Sequence, residues 1–168
     1  MSSDVLVIST VAGSGAVSAA VDLRTRRVPN WLTLSITILG IGLAATHLTT
    51  TSLAGALGGL ALGLVLMLPG HVVGATGAGD VKLFAAVGTL LGPKGIGVAF
   101  VYTAILGGAL ALTVAVYRGR LHDTLQGTAT LVLTGGANVG EIERSSADNR
   151  FAYAPAIALG ALVAALGF

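Results

Sequence analysis

Polar and charged positions divide this chain into six apolar runs, covering residues about 5–21, 31–48, 53–68, 81–92, 96–117 and 151–168. Short punctuated breaks separate the first five: "DLRTRRVPN", "HLTTTS", "PGHVVGATGAGD" and "GPKG". A run of roughly 20 apolar residues is long enough to cross a bilayer as a helix. Backbone groups in hydrocarbon must be satisfied within the segment, which makes helices the natural solution for runs of this length. The fourth run is the exception. Residues 81–92 make only about 18 Å of helix at ~1.5 Å per residue. Either the glycine-rich stretch before it also enters the membrane, or the bilayer thins there. The pattern predicts an all-α integral membrane protein, a bundle of about six transmembrane helices with a short fourth helix.

Composition sharpens this picture. Of 168 residues, 54% are hydrophobic and 10% are charged, and the mean hydropathy is +0.91. Soluble domains carry roughly 25% charged residues, so this chain cannot cover a water-facing surface. It is expected to form a single transmembrane domain over residues 1–168, with a polar loop at about 118–150. The first run follows an acidic residue, Asp4, and has no basic leader region, so it reads as a retained span rather than a signal peptide. Arg24, Arg26, Arg27, Lys82, Arg118, Arg120, Arg144 and Arg150 fall on one side of the runs, and only Lys94 on the other. That side is expected to face the cytoplasm, with both termini outside. A net charge of +2 gives no reason to expect nucleic acid as a partner. With no cysteine and three scattered histidines, neither a metal nor another cofactor is expected. Runs such as "GALGGLALG" and "ILGGALAL" suit close helix packing.

Two acidic residues stand apart. Asp22 ends the first run and Asp80 begins the fourth, both at the basic end of the bundle. An ionisable residue within a membrane segment is a candidate functional site. Taken singly, Asp22 could pair with the nearby arginines, and Asp80 could cap a helix while Lys82 reaches outwards. Their surroundings point further. Pro29, in Val28-Pro29-Asn30, fixes the start of the next helix. Gly77 and Gly79 flank Ala78 before Asp80, where glycine allows positive φ and close approach of a ligand or second backbone.

The combination "D-x5-V-P-N-W-L-T" and "G-A-G-D-V-K-L" resembles the type IV prepilin peptidase family, intramembrane aspartyl proteases with a GxGD motif. The likeness extends to the short fourth helix and to "YAPAIALG" at the start of the last run. By its size the chain is similar to the small members that serve tight-adherence (Flp-type) pili and to archaeal preflagellin peptidases. The resemblance implies Asp22 and Asp80 as catalytic residues, Gly77, Gly79 and Lys82 as motif residues, and Pro29 and Asn30 as the element that accompanies Asp22. It also implies prepilin-type precursors as substrates, cleaved after a glycine that ends a short basic leader. A cysteine-rich N-terminal region goes with N-methylation in the larger enzymes. A chain without cysteine is expected to lack that activity.

Two neighbouring carboxylates suit peptide hydrolysis because they share one proton. The ionised one activates water and the protonated one assists the oxyanion and the leaving amine. The helix N-terminus at Asp80 tilts the base assignment towards it. Partners are then the bilayer and prepilin-type precursors, with homo-oligomers left open. The alternative function is a proton- or cation-coupled transport subunit using the same two aspartates. It leaves unexplained why both lie near one face rather than at the midplane. Trp31, His47 and His71 read as interfacial residues, the two histidines on opposite faces. Tyr153-Ala154-Pro155 reads first as a plain helix start. A supporting role at the site, like that of a Pro-containing motif in presenilin-type GxGD proteases, is the alternative.

Overall fold

The computed structural model describes residues 2–72, 76–117 and 153–167. The polar loop expected at about 118–150 lies outside the described residues. Among the described residues five helices follow one another: α1 (Ser2–Thr25), α2 (Asn30–Ala45), α3 (Leu53–Val72), α4 (Ala78–Tyr117) and α5 (Ala154–Ala165). Among the described residues there is no strand.

The fourth and fifth apolar runs are joined in α4, and the joint is a reversal. Gly92 leaves helical geometry at φ 68 and ψ −178, and Pro93 follows it. The rings of Phe84 and Phe100 meet edge to face with centroids 6.1 Å apart. Along a straight helix those positions would lie roughly 24 Å apart. The chain therefore doubles back at Gly92, a conformation that disfavours any side chain. Thr51, in the loop before α3, donates its hydroxyl to the Leu90 carbonyl at 3.1 Å and so satisfies a group freed by the break.

Among the described residues, three helical stretches are long and apolar enough to cross a membrane: Val5–Thr25, Leu53–Val72 and Ala78–Val114, the last of them broken at Gly92. The expected count of about six crossings goes further than this. Helix α2 has 16 residues and α5 has 12, about 24 Å and 18 Å of helix, against a hydrocarbon core of ~30 Å. Trp31, Ile38, Val65 and Ile105 point their side chains outwards, as a bundle surrounded by lipid requires.

The core is built on small residues. A methyl group added at Gly59 of α3 would run into the Gly88 carbonyl of α4, and one at Gly88 would run into the Gly59 carbonyl. Backbone lies on backbone at this crossing. Gly160 of α5 likewise leaves room for Thr103, and Gly15 of α1 for Ala158. Phe84, Leu83, Ile96, Ile157 and Val11 fill the centre. One end of the bundle gathers the end of α1, the start of α2, the start of α4 and the start of α5. The other holds Thr51, Gly92 and Lys94.

Gly59→Ala is expected to destabilise the fold by about 1–3 kcal/mol, since neither backbone can yield without moving a helix. At Gly42, where an added methyl meets nothing within 4 Å, the same change should be neutral or stabilise by up to about 1 kcal/mol. Thermal unfolding in detergent measures both. Equal losses at the two positions would contradict the backbone crossing.

Candidate active site

Asp22 lies in the last turn of α1 and is only 5% exposed. Beyond it the helix is closed by Arg26, which takes φ 51 and donates its N–H to the Asp22 carbonyl at 2.7 Å. This is a left-handed cap made without glycine. The Thr25 hydroxyl donates to the Arg27 carbonyl at 2.9 Å. Pro29 then holds extended backbone, φ −72 and ψ 145, and its carbonyl accepts the N–H groups of Leu32 and Thr33. The turn between α1 and α2 is thus short and internally bonded.

Asp80 sits in the first turn of α4. The Gly77 carbonyl accepts the N–H groups of Asp80 and Val81 at 3.0 and 3.2 Å, and Asp80 Oδ2 accepts the Gly77 N–H at 3.2 Å. The carboxylate folds back over its own helix start, as the glutamate of a capping box does. A methyl at Gly77 would lie 3.0 Å from that oxygen. Just before it, His71 Nδ1–H donates to the Thr76 carbonyl at 3.1 Å, tying the end of α3 to this turn.

The two segments dock directly. Val28 rests on Gly79, where an added methyl would lie 3.2 Å from the valine Cβ and 3.4 Å from its backbone N and O. Lys82 Nζ donates to Asn30 Oδ1 at 3.0 Å. The Val-Pro-Asn element and the Gly-Ala-Gly-Asp-Val-Lys element therefore form one contact. The expectation of positive φ at Gly77 and Gly79 is not met. Among described glycines only Gly92 and Gly167 have it, and Gly79 is already helical. Space is what Gly79 supplies, for Val28.

A third element arrives from α5. Ala154 is buried, and its N–H donates to Asp22 Oδ2 at 3.2 Å. Asp22 and Asp80 lie within electrostatic reach of each other, and Asp80 also acts on Tyr153. Pattern reading preferred a plain helix start here, and a backbone donor leaves no mark in side-chain chemistry. Among the described residues, no three His, Asp, Glu or Cys side chains gather as a metal ion would need. His47 is at the far end of the bundle, at the close of α2, and His71 is at the near end.

Residues 10–112 match the sequence profile of the type IV leader peptidase family. The match takes in more than half of the chain, with Asp22, Asp80 and the docked turn between α1 and α2. No individual curated protein and no solved structure matches the chain.

The chain has no native cysteine, which makes the juxtaposition directly measurable. Cysteines replacing Asp22 and Asp80 should be bridged in high yield by a short bifunctional thiol reagent, and cysteines at 47 and 80 should not. Adding Gly79→Val, which pushes Val28 away, should cut the 22–80 yield several-fold. Comparable bridging in the two pairs would contradict the arrangement.

Proposed function

The chain belongs to the type IV leader peptidase family, and from that premise we propose that it is a membrane-embedded aspartyl endopeptidase. Its substrates are prepilin-like precursors, from which it removes a short basic leader. The observation that carries this reading is the docking of the two segments that bear Asp22 and Asp80, joined at one end of the bundle by the Val28–Gly79 and Lys82–Asn30 contacts.

In the proposed reaction the dyad holds one proton. The ionised carboxylate removes a proton from water as the water oxygen attacks the scissile carbonyl. The protonated carboxyl hydrogen-bonds the developing oxyanion, and the tetrahedral intermediate collapses with a proton passing to the departing amine. The chain's residues supply both the acid and the base, so no cofactor enters the scheme. Gly77 and Ala78 are exposed beside Asp80, and an extended substrate segment can lie there without meeting a bulky side chain. Val28 covers Gly79, so the substrate path runs along Gly77 rather than along both glycines.

The reading also fixes a membrane arrangement. The end bearing Asp22 and Asp80 carries Arg24, Arg26, Arg27 and Lys82 and faces the cytoplasm by the distribution of basic residues. The two segments of α4 then count as separate crossings, making six with α1, α2, α3 and α5, and both termini lie outside. The bilayer thins around the short helices or their flanking residues complete the crossing. Lys82, Asn30 and Pro29 act here as the clasp between the two aspartate-bearing segments. Transport coupled to the same aspartates draws no support from the family match.

Asp22→Asn and Asp80→Asn should each reduce cleavage of a prepilin-type precursor by at least about 1000-fold in detergent, with melting temperatures within a few degrees of the parent. Asparagine keeps the shape of the side chain and removes only its acid–base capacity. Near-parental cleavage by either folded variant would remove the aspartyl mechanism.

A further inference from the structure

The first turn of α5 directs a single donor at Asp22. Of the four N–H groups that a helix start leaves without intrahelical partners, Pro155 has none. Those of Ala156 and Ile157 turn back to the Tyr153 carbonyl at 3.0 and 3.2 Å. The Ala154 N–H alone points away from the helix, and it ends on Asp22 Oδ2. The donor is buried and its acceptor is 5% exposed, so loss of this bond leaves the donor with no water to replace it.

What aims this donor is Tyr153. Its ring lies against Gly107 of α4, where an added methyl would overlap the ring carbons. Its hydroxyl reaches the Thr103 carbonyl at 3.4 Å, a long contact. The same residue supplies the carbonyl that caps the helix. Tyr153 is therefore wedged at one end and bonded to the first turn at the other. The family match stops at residue 112, so Tyr153 and Ala154 lie beyond the matched region, while Asp22, Thr103 and Gly107 lie within it.

We propose that Tyr153 is a positioning residue of the active site: packed into the notch at Gly107, it holds the α5 start so that the Ala154 N–H orients the Asp22 carboxylate towards Asp80. The inference rests on the peptidase reading for its activity arm and on geometry alone for its distance arm. Two features separate it from plain packing. The donor meets a dyad member rather than another backbone group, and the ring matters for where it sits rather than for its hydroxyl.

The activity arm uses a prepilin-type precursor in detergent. Replacing Ala154 by lactic acid through nonsense suppression removes the N–H and keeps the side chain. A lost hydrogen bond to a charged group corresponds to roughly a 10- to 100-fold effect. That loss should appear in kcat, with KM within about 3-fold. Tyr153→Ala should lose kcat by a similar factor, and Tyr153→Phe, which keeps the ring, by less than about 5-fold. Gly107→Ala should lose kcat in the parent chain and cost nothing further in the Tyr153→Ala background, where the notch is empty. Parental kcat in the ester variant, losses confined to KM, or a Tyr153→Phe variant as poor as Tyr153→Ala would each overturn the assignment. So would loss of the fold in the ester variant, because it would make the contact purely structural.

The distance arm needs no substrate. Spin labels on cysteines at exposed positions 23 and 159 report the spacing of α1 and α5. Gly107→Ala should shift or broaden that distance, and Tyr153→Phe should leave it as in the parent. An unchanged distance in Gly107→Ala overturns the proposal even where the parent chain cleaves. If the parent chain fails to cleave while the distance responds as expected, the peptidase reading falls and the positioning contact stands.

Discussion

A backbone amide at a helix start has to find a partner, and in an apolar surround it cannot wait for water. At one end of this bundle the partners are aspartates. Asp22 takes the buried N–H of Ala154, where this constraint holds, and at the exposed start of α4 Asp80 takes that of Gly77. Two carboxylates that repel each other are thereby each bound to a helix start that tolerates negative charge. The same bonds that satisfy the helix ends hold the two acids in place at one end of the bundle. Remove the carboxylates and the helix starts lose their partners; move the helix starts and the carboxylates lose their aim.

This economy depends on how closely the helices approach. The contact of Gly59 with Gly88 brings α3 and the first segment of α4 together at backbone distance. That seats the Asp80 turn beside the end of α3, where His71 reaches Thr76. The notch at Gly107 and the gap at Gly160 do the same for α5. Lipid offers no hydrophobic drive for helices to associate, so contact area between small residues must supply it. Bulkier residues would push every one of these helix ends outwards by more than a hydrogen bond can span.

Much of this could be read from the sequence, and the parts that could not have physical causes. Asp22 and Asp80 stood out because charge within an apolar run is costly, and nothing in packing requires it. Each of the six apolar runs begins or ends within a few residues of a helix boundary. Gly92-Pro93 was visible as punctuation between two runs, while the reversal it makes needed the Phe84–Phe100 contact to appear. Gly79 was misread in part. A glycine states only that a side chain is absent, and here the absence serves Val28 rather than a positive φ. The Ala154 donor was out of reach, because every residue but proline owns an N–H and its direction is a tertiary fact.

The reversal at Gly92 makes α4 a ruler. Its first segment runs from Asp80 to the turn and its second runs back to Gly107, so both ends of the measure lie at the site and its zero lies at the opposite face. One residue gained or lost in either segment rotates everything beyond it by about 100° and slides it by ~1.5 Å. Asp80 would then face away from Asp22, or the notch would face away from Tyr153. Segment length on the two sides of Gly92 is thus locked to the single residue, whereas the loop between α2 and α3 is held to α4 only through contacts such as that of Thr51 with Leu90. Tolerance of insertions in this chain should therefore be distributed by geometry rather than by distance from the aspartates.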